Sequence, residues 1–183
     1  VEASTDGFAW TKAYLGLTHE TGGNVTAQKP ESIDFMKQKA STESEVIFYV
    51  GHGASSLWSN DRILDVAKAA QWTGNCVLLQ ATCSANYFIH NYPGYYTIAQ
   101  NLLVQPQGGI AASISTTTYL DSPPAVEFMT EVLKATRSPN ARWGDALLKA
   151  QQYAAKHAGA TENSYSDLMR SECLLGDPAL RVY

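Results

Sequence analysis

Two stretches decide how this chain is read: Val46-Ile47-Phe48-Tyr49-Val50-Gly51-His52-Gly53 and Cys76-Val77-Leu78-Leu79-Gln80-Ala81-Thr82-Cys83. Each begins with a short, nearly unbroken apolar run and ends in small or polar residues. A run without polar alternation is the pattern of a strand covered on both faces, and such strands belong to parallel sheets. Gly109-Ile110-Ala111-Ala112-Ser113-Ile114-Ser115 is a third stretch of the same kind.

Outward from these runs the pattern changes to helical spacing. Asn60 or Asp61 is placed to cap a helix reaching Gln71, with Ile63, Leu64, Val66, Ala67 and Ala70 on its inner side. Tyr95 to Val104 reads as helical. Pro123 and Pro124 open a helix to Ala135. Asn140 is placed to cap another, through Trp143, Ala146, Leu147, Ala150 and Tyr153 to His157. Ahead of the first run, Trp10–Leu17 reads as a strand, and a helix follows from Pro30 through Ile33, Phe35, Met36 and Ala40. Ala179–Val182 reads as a last short strand. Buried strands alternating with amphipathic helices predict an α/β sandwich, a mostly parallel sheet with helices on both faces.

The 183 residues suit one domain, 1–183, with no internal repeat and no linker. At 45 % hydrophobic and 16 % charged, the chain can bury a core and is not a charged, disordered polymer. Its net charge of −4 supplies no global footprint for nucleic acid. Its apolar runs are far too short to span a bilayer, and Val1 does not open a signal-peptide pattern, so the expectation is a mature or excised piece. Cys76, Cys83 and Cys173 cannot all pair within one chain and have neither CxxC nor zinc-finger spacing. One thiol at least stays free, although a Cys76–Cys173 bridge is conceivable.

Functional groups of parallel sheets collect beyond the carboxyl ends of the strands. There stand His52, between two glycines, and Cys83. A thiol attacks a carbonyl carbon only as thiolate, so it needs a base nearby. His52 is that base, and the acid that later protonates a leaving amine. The amides of Gly53 and Cys83 are candidates for stabilising an oxyanion. Taken singly, a cysteine is often core and a histidine often an incidental strand end; both at strand exits point toward catalysis. Cys76 and Cys173 read as core, and His19, His90 and His157 as solvated. Asn24-Val25-Thr26 matches a glycosylation sequon, a triplet common by chance.

The ordered set of His52-Gly53 followed by Trp58, Cys83 followed by Phe88 and the Gln107-Gly108-Gly109-Ile110-Ala111-Ala112 strand entry, and the closing Leu174-Leu175-Gly176-Asp177-Pro178-Ala179-Leu180 resembles clan CD cysteine peptidases, specifically the gingipain family, peptidase family C25. The resemblance runs from about Ser32 to the C-terminus. It implies a caspase-like three-layer sandwich and endopeptidase chemistry, with Cys83 as nucleophile and His52 as base and acid. It also implies a protein or peptide substrate, a secreted or surface bacterial protein and bound structural calcium, although the chemistry itself requires no cofactor. The expected state is a monomer. Family members carry a further subdomain and a histidine-orienting carboxylate well upstream. Only 51 residues precede His52, and that acid has no obvious counterpart. Either the chain is a fragment, the catalytic subdomain of a longer protein, or the enzyme works with a Cys–His dyad, or another acid substitutes.

By the same resemblance, the loop Thr116–Ser122 corresponds to the one holding the S1 acid in lysine-selective members. Asp121 is then the partner of a basic P1 side chain and Tyr119 a pocket wall. Alternatively, Asp121 caps the helix opening at Pro123. Two other readings remain in view: a CHAT-type caspase-like domain, which Cys83-Ser84-Ala85 fits poorly because a Thr-Gly pair usually follows that cysteine, and a non-catalytic caspase-like scaffold.

Overall fold

The apolar runs become the middle of one sheet. In the computed structural model, which describes residues 45–60, 62–89, 94–106, 108–159 and 164–182, they form β1 (Val46–Val50), β5 (Asn75–Ala81) and β6 (Gly109–Thr116). The order is β1-β5-β6-β7, where β7 is Glu172–Gly176. The first three strands are parallel and β7 runs antiparallel to β6. β5 is central and alternates in the way that parity demands. Val77, Leu79 and Ala81 enter one core, and Cys76 and Leu78 the other. A register shift opposite Cys76–Val77 passes over Ala111, so Ile110 and Ala112, two residues apart, face opposite cores.

The first core lies under α3 (Ser122–Ala135), α4 (Trp143–His157) and α5 (Ser164–Ser171), with Phe128, Met129 and Leu133 fully buried. The second lies under α1 (Val66–Ala69) and α2 (Ile98–Leu103). Helices thus cover both faces. Among the described residues no helix is long and apolar enough to cross a membrane. The N-terminal strand and helix expected before residue 45, with His19, the sequon and also His90, lie outside the described residues.

Three expectations need correction. The segment Asp61–Gln71 is not one helix. β2 (Gly53–Ala54), β3 (Leu57–Trp58) and β4 (Leu64–Asp65) form a small antiparallel sheet, and only the single turn α1 follows. Ser59 (φ 61°) and Arg62 (φ 53°) adopt left-handed backbone to make the turn, which lets Leu64 pair with Trp58 and both bury. Asn140 is not a helix cap. It sits at φ 59°, the N-cap is Arg142, and α4 starts three residues after Asn140. The expected strand 179–182 is instead a segment that serves α4: Trp143 N donates to Leu180 O (3.0 Å) and Gly144 N to Pro178 O (2.9 Å). These carbonyls satisfy helix N–H groups that no side chain caps. A Cβ at Gly144 would stand 2.8 Å from Pro178, so the closing motif and Gly144 fit only each other. α5 was not expected at all.

The first residue of β7 brings an unusual group into the interior. Leu174 packs on the first core, so Glu172, two residues earlier, shares its face. Glu172 is buried, and neither carboxylate oxygen has a hydrogen-bond partner among the described residues. Burial pushes its carboxyl well above the usual range. The folded state then holds this proton at a pH where the unfolded chain has released it. Stability therefore falls as pH rises from about 4.3 through the raised value. Glu172→Gln removes that loss. We expect its melting temperature to match the parent near pH 4.5 and to exceed it by roughly 3–10 °C at pH 8, for an unsatisfied group costing about 1–3 kcal/mol. Parallel melting curves of the two proteins at both pH values would refute this.

Candidate active site

The pairing of β1 with β5 is in continuous register from Val46↔Val77 to Val50↔Ala81. Both strands exit at the same end of the sheet, side by side. Gly51 N still donates to Ala81 O (3.4 Å), so the ladder runs into the tips. Beyond it Gly53 lies on Thr82: a Cβ built at Gly53 would meet Thr82 Oγ1 closer than real Cβ atoms ever approach. The His52 and Cys83 loops are therefore interlocked neighbours. The amides of Gly53 and Cys83 flank the same contact.

His52 has a fixed backbone and an exposed side chain. Its carbonyl accepts from Tyr49 Oη (2.7 Å) and from Ser59 N (2.8 Å). Burial pushes the Tyr49 hydroxyl up to about 12, so it stays a donor throughout the physiological range. The Tyr49 ring stacks on Trp58, with centroids 4.3 Å apart and planes 1° from parallel. Trp58, singled out by its spacing from His52, thus buttresses the histidine loop from below. Among the described residues no carboxylate contacts the His52 ring.

Cys83 is half-buried. Its sulfur makes a long 4.0 Å contact with Leu120 O. The next residue, Ser84, has φ 53°, a costly conformation for a residue with a Cβ. Ser84 N donates to Thr118 O (2.8 Å) and Asn86 N to Thr116 O (3.1 Å), and these bonds hold the turn. The cysteine loop accordingly leans on the loop after β6. Three strand exits converge.

On that third loop Tyr119 is 82 % exposed. Asp121 occupies the N-cap position of α3 but makes no side-chain cap. The reason is chemical: Pro123 and Pro124 stand where the capping N–H groups would be. The Asp121 carboxylate instead accepts from Ser164 Oγ, tying the loop to α5.

All three cysteines are free, so no Cys76–Cys173 bridge forms. Burial pushes the Cys76 thiol up to about 12 and the Cys173 thiol up to about 11. His157 ends α4, its ring tilted 32° against that of Tyr153 with centroids 4.1 Å apart, far along the sequence from either tip. The calcium expected from kinship finds no cluster of three or more His, Cys, Asp or Glu side chains among the described residues. The sequence reading missed Gln80 and Asn86. Both are fully buried amides next to the site. An amide within an apolar strand is a visible signal, but its partner is not.

A family model described as Peptidase family C25 matches residues 2–183. Among solved structures, the complex of Porphyromonas gingivalis RgpB pro- and mature domains is 17 % identical with a TM-score of 0.67, covering 84 % of this chain and 37 % of that one. The structure described as the Arg specific cysteine proteinase gingipain R is 14 % identical with a TM-score of 0.70, covering 81 % and 36 %. A third, described only as a protease, is 12 % identical with a TM-score of 0.66, covering 80 % and 37 %. No curated protein matches the chain. The chain spans little more than a third of the length of these structures, and at such identities the likeness is one of fold. The α/β, caspase-like sandwich expected from the sequence is the fold observed.

Proposed function

This chain belongs to peptidase family C25, and from that premise we propose that it is a cysteine endopeptidase with Cys83 as nucleophile and His52 as general base and acid. The observation that carries the reading is the interlock of the two loop tips, Gly53 seated on Thr82 at the end of an in-register strand pair. It brings an exposed imidazole and a half-buried thiol to one edge of the sheet.

In the proposed reaction His52 takes the proton from Cys83 Sγ. The sulfur forms a bond to the scissile carbonyl carbon, and the amides of Gly53 and Cys83 donate to the developing oxyanion. The carbon–nitrogen bond then breaks, and the leaving amine takes its proton from His52. Water, deprotonated by His52, next displaces sulfur from the thioacyl-enzyme and returns the free thiol. Substrates are proteins or peptides. The resemblance to secreted peptidases extends the proposal to a secreted or surface-attached bacterial setting.

A basic P1 side chain is the proposed preference, received by Asp121 beside the Tyr119 wall. The contact of Ser84 with Thr118 supports this, because it sets that loop against the cysteine turn. Asp121→Ala is expected to cut kcat/KM on Lys or Arg P1 substrates by up to about tenfold while sparing apolar P1 substrates, since an exposed charge pair contributes little beyond that. Equal losses on both substrate sets would remove Asp121 from P1 recognition.

Labelling tests the whole reading. A peptidyl chloromethyl ketone at pH 7.5 is expected to modify Cys83 alone, stoichiometrically. With thiols at about 11 and 12, Cys173 and Cys76 hold thiolate fractions lower by about three to four decades or more than that of an activated cysteine. His52→Ala should abolish the reaction. A folded parent protein inert at Cys83 would mean a scaffold.

A further inference from the structure

Two amides lie where apolar side chains would be expected. Gln80 is the only polar residue in the run Cys76–Ala81, and Asn86 follows Cys83 by three residues. Both have zero exposure. A buried amide is costly unless each polar atom finds a partner. Trp58 Nε1 donates to Gln80 Oε1 (2.7 Å) and Gln80 Nε2 donates to Ser113 Oγ (2.7 Å). Ser113 Oγ donates to Asn86 Oδ1 (2.7 Å), and Asn86 Nδ2 donates to the carbonyls of Ser113 and Cys173 (3.1 Å each).

The chain of bonds has one possible direction. Indole N–H can only donate, which fixes the Gln80 amide. Gln80 then gives its proton to the Ser113 hydroxyl, which must pass its own to Asn86 Oδ1. The Asn86 NH2 is left facing backbone carbonyls, which can only accept. No member can flip without breaking two bonds. One end of this network is Trp58, stacked on the Tyr49 that holds the His52 carbonyl. The other is Asn86, which lies within the strained turn after Cys83 and ties it to Thr116 O on β6.

We propose that Gln80, Ser113 and Asn86 are positioning residues: their hydrogen-bond chain fixes the Cys83 turn against the His52 hairpin. None of them touches the reacting atoms. The inference rests on the peptidase reading for its purpose, although not for its geometry.

Ser113→Ala tests it, because Ser113 lies on β6, belongs to neither tip and loses only a hydroxyl. Three measurements are made on parent, Ser113→Ala, Ser113→Thr and His52→Ala: thermal stability, kcat and KM on a peptide substrate, and the rate of Cys83 alkylation by iodoacetamide against pH. We expect Ser113→Ala to lower kcat by about 10- to 100-fold with KM changed less than threefold, and to move the midpoint of the alkylation profile, in fully folded protein. Ser113→Thr, which keeps the hydroxyl, should restore both. An alkylation profile of folded Ser113→Ala that superimposes on the parent's would overturn the proposal and leave a structural network. His52→Ala separates the two ideas. If it leaves the parent profile unmoved, the peptidase reading fails. The shift or constancy of the Ser113→Ala profile still decides whether the network holds the turn.

Discussion

Cys83→Ala is expected to lower kcat/KM on a fluorogenic peptide by about four to six orders of magnitude, to the level set by binding and oxyanion donors alone. His52→Ala should fall to nearly the same floor, because a thiol without its base and a base without its thiol both lack an acyl-enzyme route. The double variant should be no worse than either single one. Such non-additivity is the signature of groups acting as a unit. If the losses simply add, or if His52→Ala keeps more than about a tenth of the activity, the two side chains act independently and the dyad is wrong. Circular dichroism should show all three variants folded, since His52 is exposed and Cys83 only half-buried.

The second large effect concerns a residue with no side chain. Gly53→Ala drives a methyl group into Thr82 Oγ1, with Thr82 Cγ2 at 3.3 Å and Leu57 O at 3.1 Å leaving no other way out. Thr82 does not rotate wholly clear, because Oγ1 and Cγ2 both flank the new methyl and every staggered χ1 setting leaves a heavy atom at one or both of those positions. The two tips must separate by some tenths of an ångström; a misplacement of about 1 Å costs about 100-fold, so a loss of roughly tenfold in kcat is expected. Thr82→Ala clears both offending atoms. It is expected to be mild alone, since the Thr82 hydroxyl has no partner among the described residues to lose. In combination with Gly53→Ala it should recover most of the activity. A coupling energy near zero between the two positions, read from kcat/KM, would mean that the tips are not locked.

Much of this site was legible because it hangs on the signals that sequence carries best. The apolar runs of β1, β5 and β6 are unambiguous, and strand exits are where a parallel sheet displays its chemistry. Residues 61–71 misled because Leu64 and Val66 suit either period, and the turn before them uses left-handed Ser59 and Arg62, which composition does not flag. α5 was missed because it is only eight residues long and buries Ser166 and Ser171 beside Leu168, so its inner face does not read as apolar. The Asp121 cap failed for a local reason that could have been read, since two prolines in the first turn offer no N–H. Gln80 and Asn86 were illegible for a different reason: their partners lie on β3, β6 and β7, and nothing near either residue announces them.

The carbonyl that anchors Asn86 belongs to Cys173, 87 residues further along the chain. A ribosome adding about 5–20 residues per second delivers Cys83 roughly 5–18 s before that anchor exists. During this interval the nascent chain carries both reactive groups without the strand that completes their scaffold. On the proposed peptidase reading, the Cys83 turn gains its full support only once β7 has been made, so activity is expected to appear with Cys173 and not with Cys83.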